Sequence, residues 1–205
     1  MSDRCCTQPS SGVDPRYRAI LWIALAVNAA MFVVEVLASA ASGSAALAAD
    51  AADFAGDAAN YGLSLAAIAA GGAWLSRAAL AKGLAMGAYG TGVLVLAGWR
   101  LWLGQPPEPI VMGAVGLLAL AVNLSVAWLL YAYREGDANM RSVWLCTRND
   151  VIGNIAVLAA AAGVFGTGTV WPDVAMAAVL AILGLASGPV VMREALNELN
   201  GRRAG

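Results

Sequence analysis

The sequence predicts an all-α integral membrane protein with six transmembrane helices and both termini cytoplasmic. Three observations carry that prediction. Hydrophobic residues make up 60% of the 205-residue chain against 12% charged, with a mean hydropathy of +0.72, a balance that does not fit a water-soluble domain with an ordinary surface. The apolar residues fall into six runs, about 18–41, 45–71, 79–103, 109–133, 141–165 and 171–196, each near the roughly 20 residues that cross the hydrocarbon core. Basic residues alternate from one connection to the next: Arg4, Arg16 and Arg18 precede the first run, Arg77 and Lys82 lie at the second connection, Arg134 and Arg141 flank the fourth, and Arg193, Arg202 and Arg203 close the chain, whereas the first, third and fifth connections hold only Arg100. Under the positive-inside rule the termini and the even connections face the cytoplasm.

The elements follow in order. Residues 1–17 are rich in Ser, Thr, Pro and Cys without hydrophobic periodicity and read as a flexible cytoplasmic tail rather than a cleavable signal. Residues 18–196 form the six-helix domain, with turn residues at Ser42-Gly43-Ser44, Gly71-Gly72, Gln105-Pro106-Pro107, Glu135-Gly136-Asp137 and Gly166-Thr167-Gly168. Residues 197–205 make a short cytoplasmic tail.

Composition also excludes several functions. The few charges lie in short loops, so there is no basic patch for nucleic acid. With no histidine, imidazole ligation and imidazole acid-base catalysis are ruled out. No nucleophile-base pair or cofactor motif is present, so the chain is not expected to be an enzyme or to hold a resident cofactor. The three cysteines do not make a disulfide framework. Cys5 and Cys6 are either an auxiliary pair of soft metal ligands or two plain thiols in a tail.

Helix two carries the most informative stretch. Asp50, Asp53, Asp57 and Asn60 recur at spacings of three and four and share one helical face. A carboxylate at mid-membrane costs at least a few kcal/mol, so three within two turns call for a compensating partner, and a cation is the simplest one. Helix five carries a second stripe, Cys146, Asp150 and Asn154. Depth follows from the helical rise: counted from the cytoplasmic edge of a roughly 30 Å core, Cys146 falls at about 9 Å, Asp57 at about 12, Asp150 at about 15 and Asp53 at about 18. Two antiparallel helices facing each other thus offer three carboxylates and one thiolate at mid-membrane, the number and kind that suit a tetrahedral divalent site. Arg148 lies about 200° around the helix from that stripe, toward a pairing with Glu35 or toward the headgroups. Asn28, Asn60, Asn123, Asn149 and Asn154, with Asp50, either orient the ligating carboxylates or bond helix to helix.

These residues resemble the cation diffusion facilitators, six-helix metal-proton antiporters. The likeness spans nearly the whole hydrophobic chain: Asn28 and Glu35 in helix one, Ala48-Ala49-Asp50-Ala51-Ala52-Asp53 through Asp57 in helix two, Asn123 in helix four, Asn149-Asp150 through Asn154 in helix five, and Asp173 opening helix six. The resemblance implies Asp53, Asp57, Cys146 and Asp150 as metal ligands, and a homodimer in the plasma (inner) membrane. Many zinc-selective members carry histidine where this chain has Asp53 or Cys146. The family's C-terminal cytoplasmic domain is expected to be absent.

Coupling follows from elementary chemistry. Protons and metal compete for the same carboxylate lone pairs, so alternating access lets an inward proton gradient drive metal outward. A thiolate favours Zn²⁺ first and Cd²⁺ next, while carboxylates alone also suit Fe²⁺ or Mn²⁺. As a buried small hydrophobe, Cys146 would leave that second choice open. A metal sensor or a non-transporting assembly partner is the rival class.

Overall fold

The computed structural model describes residues 14–70, 73–135 and 138–201. Six helices run through them: α1 (Pro15–Ser42), α2 (Ala45–Ala70), α3 (Ala73–Leu103), α4 (Pro109–Leu130), α5 (Ala138–Thr167) and α6 (Trp171–Gly201), with a 3-10 turn, Tyr131–Tyr133, continuing α4. Among the described residues there is no strand. Each of the six expected spans has its helix, extended by a few residues where charged or polar side chains carry the helix beyond the apolar run. The Cys5-Cys6 pair lies outside the described residues.

Local chemistry sets the helix ends. Asp14 caps α1 by accepting from the Arg16 N–H at 2.9 Å, and Pro15 opens the helix where its missing N–H costs nothing. Gly43 closes α1 in the left-handed region at φ 78, donating to Ser39 O at 2.9 Å. Glu108 and Pro109 start α4 in the same way, and the Glu108 N–H donates to Ser42 O at 2.9 Å, tying the end of α1 to the start of α4. At the opposite end of that pair, Tyr133 Oη donates to Asp14 at 3.0 Å.

The helices pack as a ring of four with a pair beside it. α1 lies along α2, α2 meets α5, α5 lies along α4, and α4 returns to α1, while α3 pairs with α6 and the two rest against α2 and α5. Where helices approach most closely the residues are small. A Cβ on Gly90 of α3 would stand 3.1 Å from Leu185 of α6, and one on Gly116 of α4 would stand 3.1 Å from Leu158 of α5. At the α5–α6 corner a Cβ on Gly163 would come within 2.9 Å of the Pro172 ring, which cannot swing aside. Gly163→Ala is therefore expected to cost about 1–3 kcal/mol in thermal or denaturant unfolding in detergent. Gly113→Ala, inside α4 where a Cβ meets nothing within 4 Å, is the control and is expected to keep or gain stability, by up to about 1 kcal/mol.

The surface confirms the solvent. Trp22, Leu37, Val95, Trp99, Trp102, Leu117, Trp128, Ile152, Phe165 and Ile182 all face outward, while Asn28, Glu35, Asp50, Asp57, Asn123 and Asn154 are buried within the bundle. Apolar outside and polar inside is the arrangement a lipid environment selects. Among the described residues four helical segments are long and apolar enough to cross a membrane: Pro15–Ser42, Gly83–Leu103, Pro109–Tyr133 and Thr147–Thr167. In α2 the apolar character is broken by its three aspartates, and in α6 the apolar stretch is the shorter Trp171–Ala186.

Candidate metal centre

Two polar clusters fix the position of α2, whose aspartates are the core of the candidate site. At its start, Ser44 Oγ accepts from the Leu47 N–H at 3.0 Å as a side-chain cap. Asp173 of α6, fully buried, takes up what that cap leaves: its Oδ1 accepts from Ser44 Oγ at 2.6 Å and from the Ala46 N–H at 3.0 Å, and its Oδ2 accepts from the Ala45 N–H at 2.8 Å. A carboxylate at a helix N-terminus meets both the free N–H groups and the positive end of the helix dipole. Asp173 is thus a splint between α6 and α2.

Further along, Tyr61 Oη lies 2.7 Å from Thr147 Oγ1 of α5 and donates weakly to Asp57 Oδ2 at 3.5 Å. Both Tyr61 and Thr147 are buried, at 1% and 0% exposure. This contact joins α2 to α5 one turn beyond Asp57. The carboxyl groups of Asp57 and Asp150 then come within hydrogen-bonding reach of each other, with Asp53 and Asp50 within electrostatic reach of Asp150. Asp150 of the second stripe therefore lies beside the acids of the first.

Other expected members divide. Asp53 is half-buried between Asp50 and Asp57 and feels the charge of both. The Cys146 side chain lies outside the described residues, so its part in the site is untouched by the structure. Among the described residues no three acidic or thiol groups close into a ligand shell. Asn28 and Asn154 each spend their amide N–H on their own helix, donating to Ala24 O at 2.8 Å and to Asp150 O at 2.9 Å, and present a buried Oδ1 with no partner among the described residues, as does Asn123. Asn60 is half-buried. Asn149 is exposed and accepts from Arg148 Nη2 at 3.2 Å.

The pairing of Arg148 with Glu35 does not form. Arg148 is exposed, with its guanidinium 5.5 Å over the Trp144 ring, while both Glu35 oxygens are buried without a hydrogen-bond partner among the described residues. The reason is angular: Arg148 points away from the bundle interior and Glu35 into it. Sequence reasoning missed Tyr61 and Thr147. Their only trace is position, since Tyr61 stands four residues after Asp57 and Thr147 three before Asp150.

An apolar exterior around carboxyl groups contributed by facing helices defines an integral multi-pass membrane protein with an acidic interior. Residues 72–199 match the cation efflux transmembrane domain, which covers more than half of the chain, so the chain belongs to the cation efflux family. It is similar to the metal cation efflux system protein CzcD of Cupriavidus metallidurans, 28% identical over 191 residues that make up 87% of this chain and 60% of that protein. It is also similar to the cadmium, cobalt and zinc/H(+)-K(+) antiporter of Bacillus velezensis, 31% identical over 99 residues, 46% of this chain and 32% of that protein. The antiporter of the same description in Bacillus subtilis is 28% identical over 99 residues. The chain spans between 32% and 60% of the length of these relatives.

Proposed function

We propose that this chain exports divalent metal cations, Zn²⁺ first and Cd²⁺ next, across the plasma membrane in exchange for protons, through a site built from Asp53, Asp57, Cys146 and Asp150. The observation that supports this best is the Asp57–Asp150 pair. Two carboxyl groups brought into contact inside a bundle are unfavourable when both are ionised. A dication or protons relieve that repulsion, and the two cannot do so at once. Exchange is the consequence. Asp53 and the Cys146 thiolate complete a donor set of borderline character.

Direction comes from topology. With the termini and even connections cytoplasmic, the Tyr61–Thr147 contact lies between the acid pair and the cytoplasm. Opening it admits metal from inside, and protons arriving from the other face release the ion outward. The relatives, a metal cation efflux system protein and a cadmium, cobalt and zinc antiporter, agree with such cargo. Two chains side by side are the proposed assembly, and no resident cofactor is needed.

Inside-out vesicles test the proposal against a sensor or assembly role. Radioactive zinc accumulates when the lumen is acidic and not when the gradient is collapsed. A protein that binds metal without moving it accumulates none under either condition. Cys146→Ser is expected to weaken Cd²⁺ uptake more than Mn²⁺ or Fe²⁺ uptake. Equal loss for every ion takes the thiolate out of the site and favours the same transporter working on Fe²⁺ or Mn²⁺ through carboxylates alone.

A further inference from the structure

A second acidic pair stands apart from the first. Glu35 of α1 is fully buried at 0% exposure, and among the described residues neither of its carboxyl oxygens has a hydrogen-bond partner. Its carboxyl group neighbours that of Asp50 on α2, itself 3% exposed, whose Oδ2 also has no partner among the described residues. Among the described residues no basic side chain pairs with either one; the ion pair found there joins Arg134 to Glu135 at the surface. The Glu35 side chain thus reaches from a different helix into the acidic face of α2 with its full acceptor capacity unspent.

Position gives the pair its meaning. Measured back from the Gly43-Ser44 turn, Glu35 lies about 12 Å deep and Asp50 about 9 Å, against about 20 Å for Asp57. Asp53 falls between, at about 14 Å, within electrostatic reach of Glu35, Asp50 and Asp57. Carboxyl groups therefore descend without interruption from the α1–α2 turn to the Asp57–Asp150 contact. We propose that Glu35 and Asp50 form a second divalent-cation station, in series with the Asp53, Asp57, Cys146 and Asp150 site and on its α1–α2 turn side. It rests on the transport reading given above. Two carboxylates neutralise a dication, and their oxygens suit Zn²⁺ and harder ions alike. Without such a station an ion leaving Asp53 would travel roughly 14 Å to the α1–α2 turn with no carboxylate along the way.

Equilibrium zinc binding to the whole 205-residue chain in detergent, with Cys5 and Cys6 replaced by Ser to silence the tail thiols, tests the station. The parent is expected to bind two ions per chain, Glu35→Gln and Asp50→Asn one each, Asp57→Ala one, and the Glu35→Gln/Asp57→Ala pair none. The ion kept by each single variant shows that it has folded. Retention of both ions by Glu35→Gln overturns the proposal, as does loss of both by Asp57→Ala, because the pair would then bind nothing of its own. If Asp57→Ala keeps both ions while Glu35→Gln still loses one, the central site fails and the outer station stands.

Discussion

Asp57→Ala and Asp150→Ala are each expected to abolish zinc uptake into inside-out vesicles, by at least about a hundredfold, the ratio that roughly 3 kcal/mol of lost interaction corresponds to. The two carboxyl groups neighbour each other across α2 and α5, so removing either leaves the other without its acidic partner. The double variant is expected to lose no more than either single one, since the two act as one unit. Uptake within a few-fold of the parent in either single variant would mean that the contact is structural. Asp53→Ala is the milder case, because Asp53 is half-buried beside the pair rather than in it.

The largest expected loss of stability falls on Asp173→Ala. Removing this buried carboxylate strips acceptors from Ser44 Oγ and from the Ala45 and Ala46 N–H groups together, at the point where α6 meets the start of α2. About 3–5 kcal/mol is expected, the range for breaking a buried charged network by removing one partner. Asp173→Asn keeps an oxygen acceptor and is expected to lose less than half of that. Unfolding in detergent, followed by denaturant titration of the purified variants, reads the difference. Equal stability of Asp173→Ala and the parent would show that water or backbone rearrangement replaces the splint.

Much of this arrangement is legible in the chain itself. The six helices follow from the apolar runs and the turn residues between them, although hydropathy and length alone mark four, because the aspartates of α2 and the short apolar stretch of α6 weaken the signal there. The Asp57–Asp150 meeting is legible from rise and direction: antiparallel helices whose acids lie about 12 and 15 Å deep have them nearly level. The splint and the Tyr61–Thr147 contact are not legible in that way. Depth says which residues share a level, but not which helices are neighbours, and both contacts depend on the packing order around the bundle. Glu35 illustrates the same gap. Its level is readable, yet its neighbour depends on the rotation of α1 against α2: the pattern leaves Arg148 either with Glu35 or with the headgroups, and the structure sets Asp50 beside Glu35. Arg148 is better explained by an outward contact with Trp144.

Metal and proton cannot hold the same carboxyl groups together, and proton release on zinc binding measures that exclusion most directly. In weakly buffered solution the parent is expected to release at least one proton more per bound zinc than the Asp57→Asn/Asp150→Asn variant, with zinc affinity falling as the solution is acidified. Equal release from both proteins, or a zinc affinity of the parent that does not change with pH, would contradict exchange at this pair.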